Sequence, residues 1–530
     1  MTGGADRVGA RDLLRRVLDE DGWTSWDTDL ADVAAPGSAY AAALAAARER
    51  SGCDEAVLTG EGLLRGRRVA CVVSEFRFLA GSIGLATADR IVAAIERATA
   101  AGLPLLAAPS SGGTRMQEGT IAFVQMARIT AAVTRHRAAG LPYLVYLRHP
   151  TTGGVFASWG SLGHVTAAEP GALIGFLGPR VYEGLHGEPF PAGVQTAENL
   201  AAKGLVDAVV GVDELADIAA DALDVLCTRP LADPELIAEA PAQPVETSAW
   251  DSIERSRKPG RPGVRELLRY GATRVTPLSG TGQGEADPGL LLALARFGSV
   301  PCVLVGQDRH SQRTGHPLGP AGLRVARRGM SLAAELGLPL VTVVDTPGAV
   351  LSAEAEEGGL AGEIARCLAD MITLPARSLC LLLGEGTGGA ALALLPADRV
   401  LAARHAWLSP LPPEGASIIV HRTPGRAPEM AEAQGVRSAD LLREGIVDEL
   451  VGEHPDAADE PERFCRRAAA ALERALLGVP GADPAARQAR YITLGAGGPG
   501  GPRPGPGPAP RRPSGGAASA RSAAPGGGGG

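Results

Sequence analysis

Glycine-rich blocks recur in this chain at one constant spacing of 235 residues, and that repeat restricts the fold more than any other feature. Gly102-Leu-Pro-Leu-Leu-Ala-Ala-Pro-Ser-Ser-Gly-Gly113 returns as Gly337-Leu-Pro-Leu-Val-Thr-Val-Val-Asp-Thr-Pro-Gly348. Thr151-Thr-Gly-Gly-Val-Phe-Ala-Ser158 returns as Gly386-Thr-Gly-Gly-Ala-Ala-Leu-Ala393, and Leu173 falls on Leu408. A duplicated domain accounts for this register. Each half then brings a glycine-lined pocket, and two such pockets face to face could hold two substrates. The copies are not equivalent: Ser-Gly-Gly in the first stands against Thr-Pro-Gly in the second, so one turn has lost a flexible donor.

Around the repeats the order is strand, glycine turn, helix, which is the α/β signature with turns at strand C-terminal ends. Strands are expected over 61–64, 69–75, 103–108 and 141–147, with helices over 86–101, from about 115, and after Thr151-Thr-Gly-Gly. The second half repeats the order with strands over 302–306, 340–344 and 378–383 and helices over 322–336 and 360–371. Residues 1–50 read as a helical segment, 51–229 and 264–480 as the two domains, and 230–263 as a Pro- and charge-rich linker. Residues 481–530 end in Gly, Pro, Ser, Ala and Arg and are expected to be a disordered tail.

A length of 530 residues with 45% hydrophobic content is ample for large cores. A net charge of −8 argues against a nucleic-acid partner. Seven scattered cysteines with no Cys-x-x-Cys pair form neither a disulfide framework nor a zinc ribbon, and they fit a reducing cytosol. The charged N-terminus lacks the apolar core of a signal peptide, and no apolar run reaches the roughly 20 residues that span a bilayer. A cytoplasmic protein is expected.

Backbone N–H groups at a glycine turn that opens a helix form a ready oxyanion site, because glycine admits close approach and the helix adds a positive dipole. Four matched turns favour this over simple close packing. Ser158 in Phe156-Ala-Ser-Trp-Gly160 resembles a ClpP-type nucleophile turn, but no base is placed for it, so a packed helix residue is the expectation, with His164 on the same helix. His149 and His164 read as surface or satisfied core histidines, and no cluster has metal spacing. Asp345 and Glu385, just before glycine turns, read as helix N-terminal caps or as acid–base groups. Arg115, Arg180 and the 255–261 arginines could grip phosphates or be solvated surface charge.

Longer motifs carry a family resemblance. Ser110-Ser-Gly-Gly-Thr-Arg-Met-Gln-Glu118, His149-Pro-Thr-Thr-Gly-Gly-Val-Phe-Ala-Ser158, Ala168-Glu-Pro-Gly-Ala-Leu-Ile-Gly-Phe-Leu-Gly-Pro-Arg180 and Lys203-Gly-Leu-Val-Asp207 resemble the beta subunit of acetyl-CoA carboxylase carboxyltransferase. Asp345-Thr-Pro-Gly-Ala349, Gly384-Glu-Gly-Thr-Gly-Gly-Ala-Ala-Leu-Ala393, Leu408-Ser-Pro410, Pro413-Glu-Gly-Ala-Ser417 and Glu444-Gly-Ile-Val-Asp448 resemble the alpha subunit. The resemblance implies beta and alpha fused in one chain, each a crotonase-like (ClpP/crotonase) ββα spiral.

It further implies carboxyl transfer from carboxybiotin on a separate carrier protein to acetyl-CoA, giving malonyl-CoA for fatty-acid synthesis. By carry-over, Gly153 and Gly154 would polarise the thioester, and Gly388, Gly389 and Ala390 would stabilise the biotin ureido oxygen. Gly112, Gly113 and Gly348 would line the clefts, with Arg115 and Arg180 as substrate contacts. Biotin carboxyl carrier protein and biotin carboxylase are the implied partners, and a homodimer would supply two sites. The family's four-cysteine zinc ribbon has no counterpart, so no metal is expected. His149 and His164 stand where relatives often have Asp. Two alternatives remain: a related carboxyltransferase or malonate-decarboxylase-type protein with another substrate, and a non-catalytic assembly partner.

Overall fold

The computed structural model describes residues 8–28, 34–228, 241–479 and 481–494. The first half contains strands β1 (Thr24–Ser25), β2 (Val57–Leu64), β3 (Arg67–Ser74), β4 (Leu105–Ala108), β5 (Tyr143–Leu147), β6 (Thr151–Thr152), β7 (Val165–Ala168), β8 (Ile174–Gly175) and β9 (Ala208–Val209). The second contains β10 (Ala272–Leu278), β11 (Leu290–Phe297), β12 (Val300–Gln307), β13 (Leu340–Thr346), β14 (Ser378–Thr387), β15 (Arg399–Ala403), β16 (Trp407–Ser409) and β17 (Glu449–Val451).

The main sheets run β1-β2-β3-β4-β5-β7-β9 and β10-β11-β12-β13-β14-β15-β17. Each starts with antiparallel strands and continues parallel, with helices crossing between most of the parallel strands. The β2–β3 hairpin closes through Arg65 and Gly66, at φ of 48° and 77°, the left-handed pair that a two-residue hairpin turn requires. Leu105 pairs Tyr143, and 235 residues on Leu340 pairs Ser378. In the hairpins Val57 pairs Ser74 and Leu290 pairs Gln307, a spacing of 233. The second half therefore holds two extra residues between its hairpin and its next strand. The helix Leu85–Ala100 buries Ala88, Ile91, Val92, Ile95 and Ala98, the three-to-four spacing of a core-facing stripe.

Three expectations change. No α-helix follows Gly154: turns lead to a 3-10 turn at Trp159–Ser161, so Ser158 and His164 share no helix, and His164 sits just ahead of β7. The expected linker is ordered from its middle on. Residues 229–240 lie outside the described residues, but Ala249–Arg257 is a helix packed on the second half, and Arg261 is buried against Glu453. Helix Pro484–Thr493 occupies the start of the expected tail, because Arg487 is buried and bonded to Asp398; 495–530 lie outside the described residues. The N-terminal segment holds two helices, Ala10–Val17 and Ala39–Ser51, the second capped by the Ser38 hydroxyl.

One hydrophobic core runs across both halves, and the first half holds a second core of its own. Their seam is also polar: Asp207 takes two bonds from Arg328, and Glu335 accepts from Arg137 at 2.6 Å. A cavity of about 640 Å³ lies between them, lined by Gly102, Pro104, Pro142, Pro301, Pro339 and Arg377. All six stand at the N-terminal ends of parallel strands or of the β12 hairpin strand. The two sheets thus meet by their strand starts, and the glycine turns at the strand ends point away from each other. Within one chain the two pockets do not face. Among the described residues no helix is long and apolar enough to cross a membrane.

Candidate active site

In each half two turns lie side by side at the C-terminal ends of the parallel strands. In the first, Ser111 donates its N–H to Pro150 O at 2.7 Å and Thr152 donates to Ser111 O at 2.9 Å, so the turn after β4 is laced to the turn after β5. β6 then pairs with β8. The lacing brings Gly113 against Gly153 and Gly154: a Cβ built on Gly113 would lie 3.9 Å from Gly153 Cα. Gly113 has φ of 108° and Gly348 has φ of 127°, where side-chain-bearing residues are strained. Each amide donates to the hydroxyl two residues earlier: Gly113 N to Ser111 Oγ at 3.0 Å, Gly348 N to Thr346 Oγ1 at 3.1 Å.

The amide inventory separates the glycines. Gly112 N–H donates to Ala80 O at 2.9 Å, and Gly153 N–H is shared between Gly175 O and Phe176 O. Neither is spare for a ligand, which corrects the thioester-polarising role expected of Gly153. The exchange of Gly112 for Pro347 likewise removes an internal turn bond, not a ligand donor. Gly154 N–H finds no acceptor among the described residues. In the second half Gly388, Gly389 and Ala390 open the short helix Gly388–Leu392, and Thr387 does not cap it with its side chain. First-turn amides have no intrahelical acceptor, so Gly389 and Ala390 are placed like Gly154. Gln307 fixes this turn by donating to Ala390 O at 2.8 Å while accepting from Asp345 N.

The charged candidates do other work. Arg115 is fully buried and ties Glu55, Glu118, Thr87 and the Ser82 carbonyl together, with the guanidinium over Phe78. It cannot reach a substrate phosphate; it props the segment that follows the first turn. Arg180 belongs to the helix Pro179–His186, and its side chain lies outside the described residues. Asp345 and Glu385 cap no helix. Asp345 is buried against Arg309 at 3.0 Å, burial pushing its pKa up while Arg309 and Arg261 oppose. Glu385 accepts from Arg257 Nε at 2.7 Å, and Arg257 also clamps Glu414. Arg255 pairs with Asp251, and Arg261 with Glu453, so neither is a free phosphate grip.

Ser158 donates to Gly154 O at 2.5 Å, and no histidine contacts it among the described residues; it is a packed residue and no nucleophile. His149 Nδ1 accepts from Leu173 N, and His164 Nδ1 accepts from Tyr143 N. Both histidines tie neighbouring segments together. Among the described residues no three His, Cys, Asp or Glu side chains gather as a metal site. The Ser111 and Thr346 hydroxyls were not anticipated as site residues, although the matched hydroxyl two residues before a glycine is visible in the repeat. Large apolar side chains stand exposed beside both turn pairs: Met116, Ile121, Phe123 and Val124 in the first half, Leu351, Ile418, Ile419 and Val420 in the second.

Residues 33–478 match the family described as carboxyl transferase domain. The probable biotin-dependent acyl-coenzyme A carboxylase beta3 subunit of Mycobacterium tuberculosis (strain ATCC 25618 / H37Rv) is 59% identical over 493 residues, which cover 92% of this chain and 99% of the relative. The acetyl-coenzyme A carboxylase carboxyl transferase subunits beta/alpha of Salinispora arenicola (strain CNS-205) are 37% identical over 478 residues, covering 86% and 84%. Among solved structures, the transcarboxylase 12S hexamer with hydrolyzed methylmalonyl-coenzyme A bound shares the fold, with a TM-score of 0.69 at 22% identity over 88% of each chain.

Proposed function

The chain belongs to the carboxyl transferase family and is a carboxyltransferase component of a biotin-dependent acyl-CoA carboxylase, and from that premise we propose that its two unlike halves are a fused beta-type and alpha-type pair of crotonase-like domains. The observation that supports this most is the unspent amides at matched positions, Gly154 in one half and Gly389 with Ala390 in the other. The first half takes an acyl-CoA, acetyl-CoA being the substrate expected from the sequence. The second takes carboxybiotin as a co-substrate on a separate carrier protein, charged by a biotin carboxylase. Both lie in the cytoplasm.

Carboxybiotin supplies CO2 as its N–C bond breaks, and the ureido nitrogen left behind takes the α-proton of the acyl-CoA. Gly154 N–H donates to the thioester oxygen as negative charge builds there, and the enolate carbon forms its new bond to CO2. Gly389 and Ala390 N–H donate to the ureido oxygen. One preorganised donor of this kind contributes about 3 kcal/mol to a transition state. Arg309–Asp345 and Arg257–Glu385 hold the strand ends beneath the second turn.

Since the turns point apart within one chain, the site forms where the first half of one copy meets the second half of another. The exposed apolar side chains beside each turn pair are the surfaces that close it. Such a homo-oligomer contains at least the dimer expected from the sequence; the 12S relative is a hexamer. The test is purified full-length protein with carboxylated carrier and a panel of acyl-CoA substrates, followed by mass spectrometry. Carboxylated acyl-CoA is expected, and its absence with every acyl-CoA would overturn the assignment.

A further inference from the structure

The wall beside the second-half turn carries an acceptor and a donor that the scheme above leaves unused. Glu385 Oε1 is taken by Arg257. Its Oε2 faces Arg313 Nη2 at 3.8 Å, wider than a hydrogen bond. The Arg313 guanidinium makes no hydrogen bond among the described residues, and its side chain is 37% exposed at the end of the helix Arg309–Arg313. Glu385 and Thr387 alternate along β14 and so share one of its faces. The Thr387 hydroxyl is buried with no partner among the described residues, whereas its first-half counterpart Thr152 bonds Ser111 O at 3.3 Å. Pro150 stands where the repeat would place a first-half Glu385. The acceptor, the loosely held donor and the orphan hydroxyl therefore belong to the second half alone, beside the turn that carries Gly389.

Their chemistry fits a cyclic urea carrying a carboxylate. Such a ring offers one free N–H, one carbonyl and one anionic group. A carboxylate acceptor suits the N–H, and an arginine suits the anion. Arg257 alone can keep Glu385 paired while Arg313 turns to the ligand. We propose that Glu385 and Arg313 are the pair that recognises the ureido ring in the second half, Glu385 Oε2 accepting the free ring N–H and Arg313 donating to the ring carboxylate. This rests on the assignment of that half to carboxybiotin.

The test uses the full-length protein with Glu385→Gln, Arg313→Met and Arg313→Lys, each checked for an unchanged thermal melt. Carboxylation of free biocytin by malonyl-CoA and methylmalonyl-CoA is followed, together with forward transfer from carboxylated carrier. Loss of one charged hydrogen bond predicts a KM for biocytin about tenfold higher in E385Q, and a KM for carboxylated carrier about tenfold higher in R313M. R313K should recover part of that loss, and the KM for the CoA substrate should move less than about twofold. A fold defect would shift both substrates together. Wild-type transfer with biotin-side KM values unchanged in both variants would overturn the pair and leave the carboxyltransferase assignment standing. No transfer by wild type would instead remove that assignment. Calorimetry with biocytin then decides: binding lost in E385Q upholds the Glu385 contact, and equal or no binding sinks it.

Discussion

Thr346 accepts the Gly348 amide on its hydroxyl at 3.1 Å while donating that hydroxyl to Gln312 Oε1 at 2.6 Å. Ser111 plays the accepting part for Gly113 in the other half. The hydroxyl therefore sets the left-handed glycine beside each second turn. Thr346→Val keeps the shape but leaves the half-buried Gly348 amide and the buried Gln312 side-chain carbonyl unpaired, at a cost of about 1–3 kcal/mol. Thr346→Ser should cost far less, since serine already does this work at 111. Urea midpoints and turnover numbers check this; equal values for the valine and serine variants would contradict it.

Much of this arrangement was legible because it is local. A β-branched or leucine-rich run followed by Gly-Gly reports a strand and its turn without help from the rest of the chain, and the 235-residue register exposed the duplication. The helices Ala249–Arg257 and Pro484–Thr493 were missed because they are held by distant ion pairs. Arg257 meets Glu385 and Glu414, and Arg487 meets Asp398, and no pattern within either segment announces those partners. Arg115 misled for the same reason: its carboxylate, Glu55, lies 60 residues upstream. Gly153 misled because its acceptors at 175 and 176 come from a strand pairing that the sequence does not display.

Arg487 is the pin of the C-terminal helix. Its guanidinium takes both Asp398 oxygens at 2.8 Å and the carbonyls of Met371, Leu374 and Ala376. Arg487→Ala strands these acceptors and should destabilise the second half by about 3–5 kcal/mol. Arg487→Lys cannot span five acceptors and should recover only part of the loss. Chemical denaturation monitored by circular dichroism measures both, and a shift below about 1 kcal/mol for the alanine variant would show that the helix is not pinned there.

Glu453 makes the fold acid-sensitive. Burial alone would raise its pKa, but the Arg261 charge and bonds outweigh this and bring it from 4.5 to about 2. A folded pKa below the unfolded value means the pair stabilises fully above pH 4.5 and loses that contribution as pH falls toward 2. Glu453→Gln should be less stable at pH 7, because Arg261 stays buried with its charge uncompensated. It should also lose less stability than wild type between pH 5 and pH 2.5, within the window set by that pKa shift. Denaturant midpoints across the range test the claim, and parallel pH profiles would refute it.

The opposed strand ends give the most direct prediction about how the site is assembled. A Cβ on Gly154 would press on Met126 Cγ at 3.2 Å, and one on Gly389 would overlap Ile364 Cδ1 at 2.9 Å. Valine at either position should crowd that side chain and stand between a ligand and the turn amide, which abolishes transfer. If the site joins the first half of one copy to the second half of another, a Gly154→Val chain still has a sound second half and a Gly389→Val chain a sound first half. Mixed oligomers pair those sound halves in one site and the two damaged halves in the other. Co-refolding equal amounts of the two inactive variants should restore about a quarter of wild-type activity, since half of random pairs are mixed and each has one working site. A site built within one chain would leave every chain damaged, and the mixture would stay inactive.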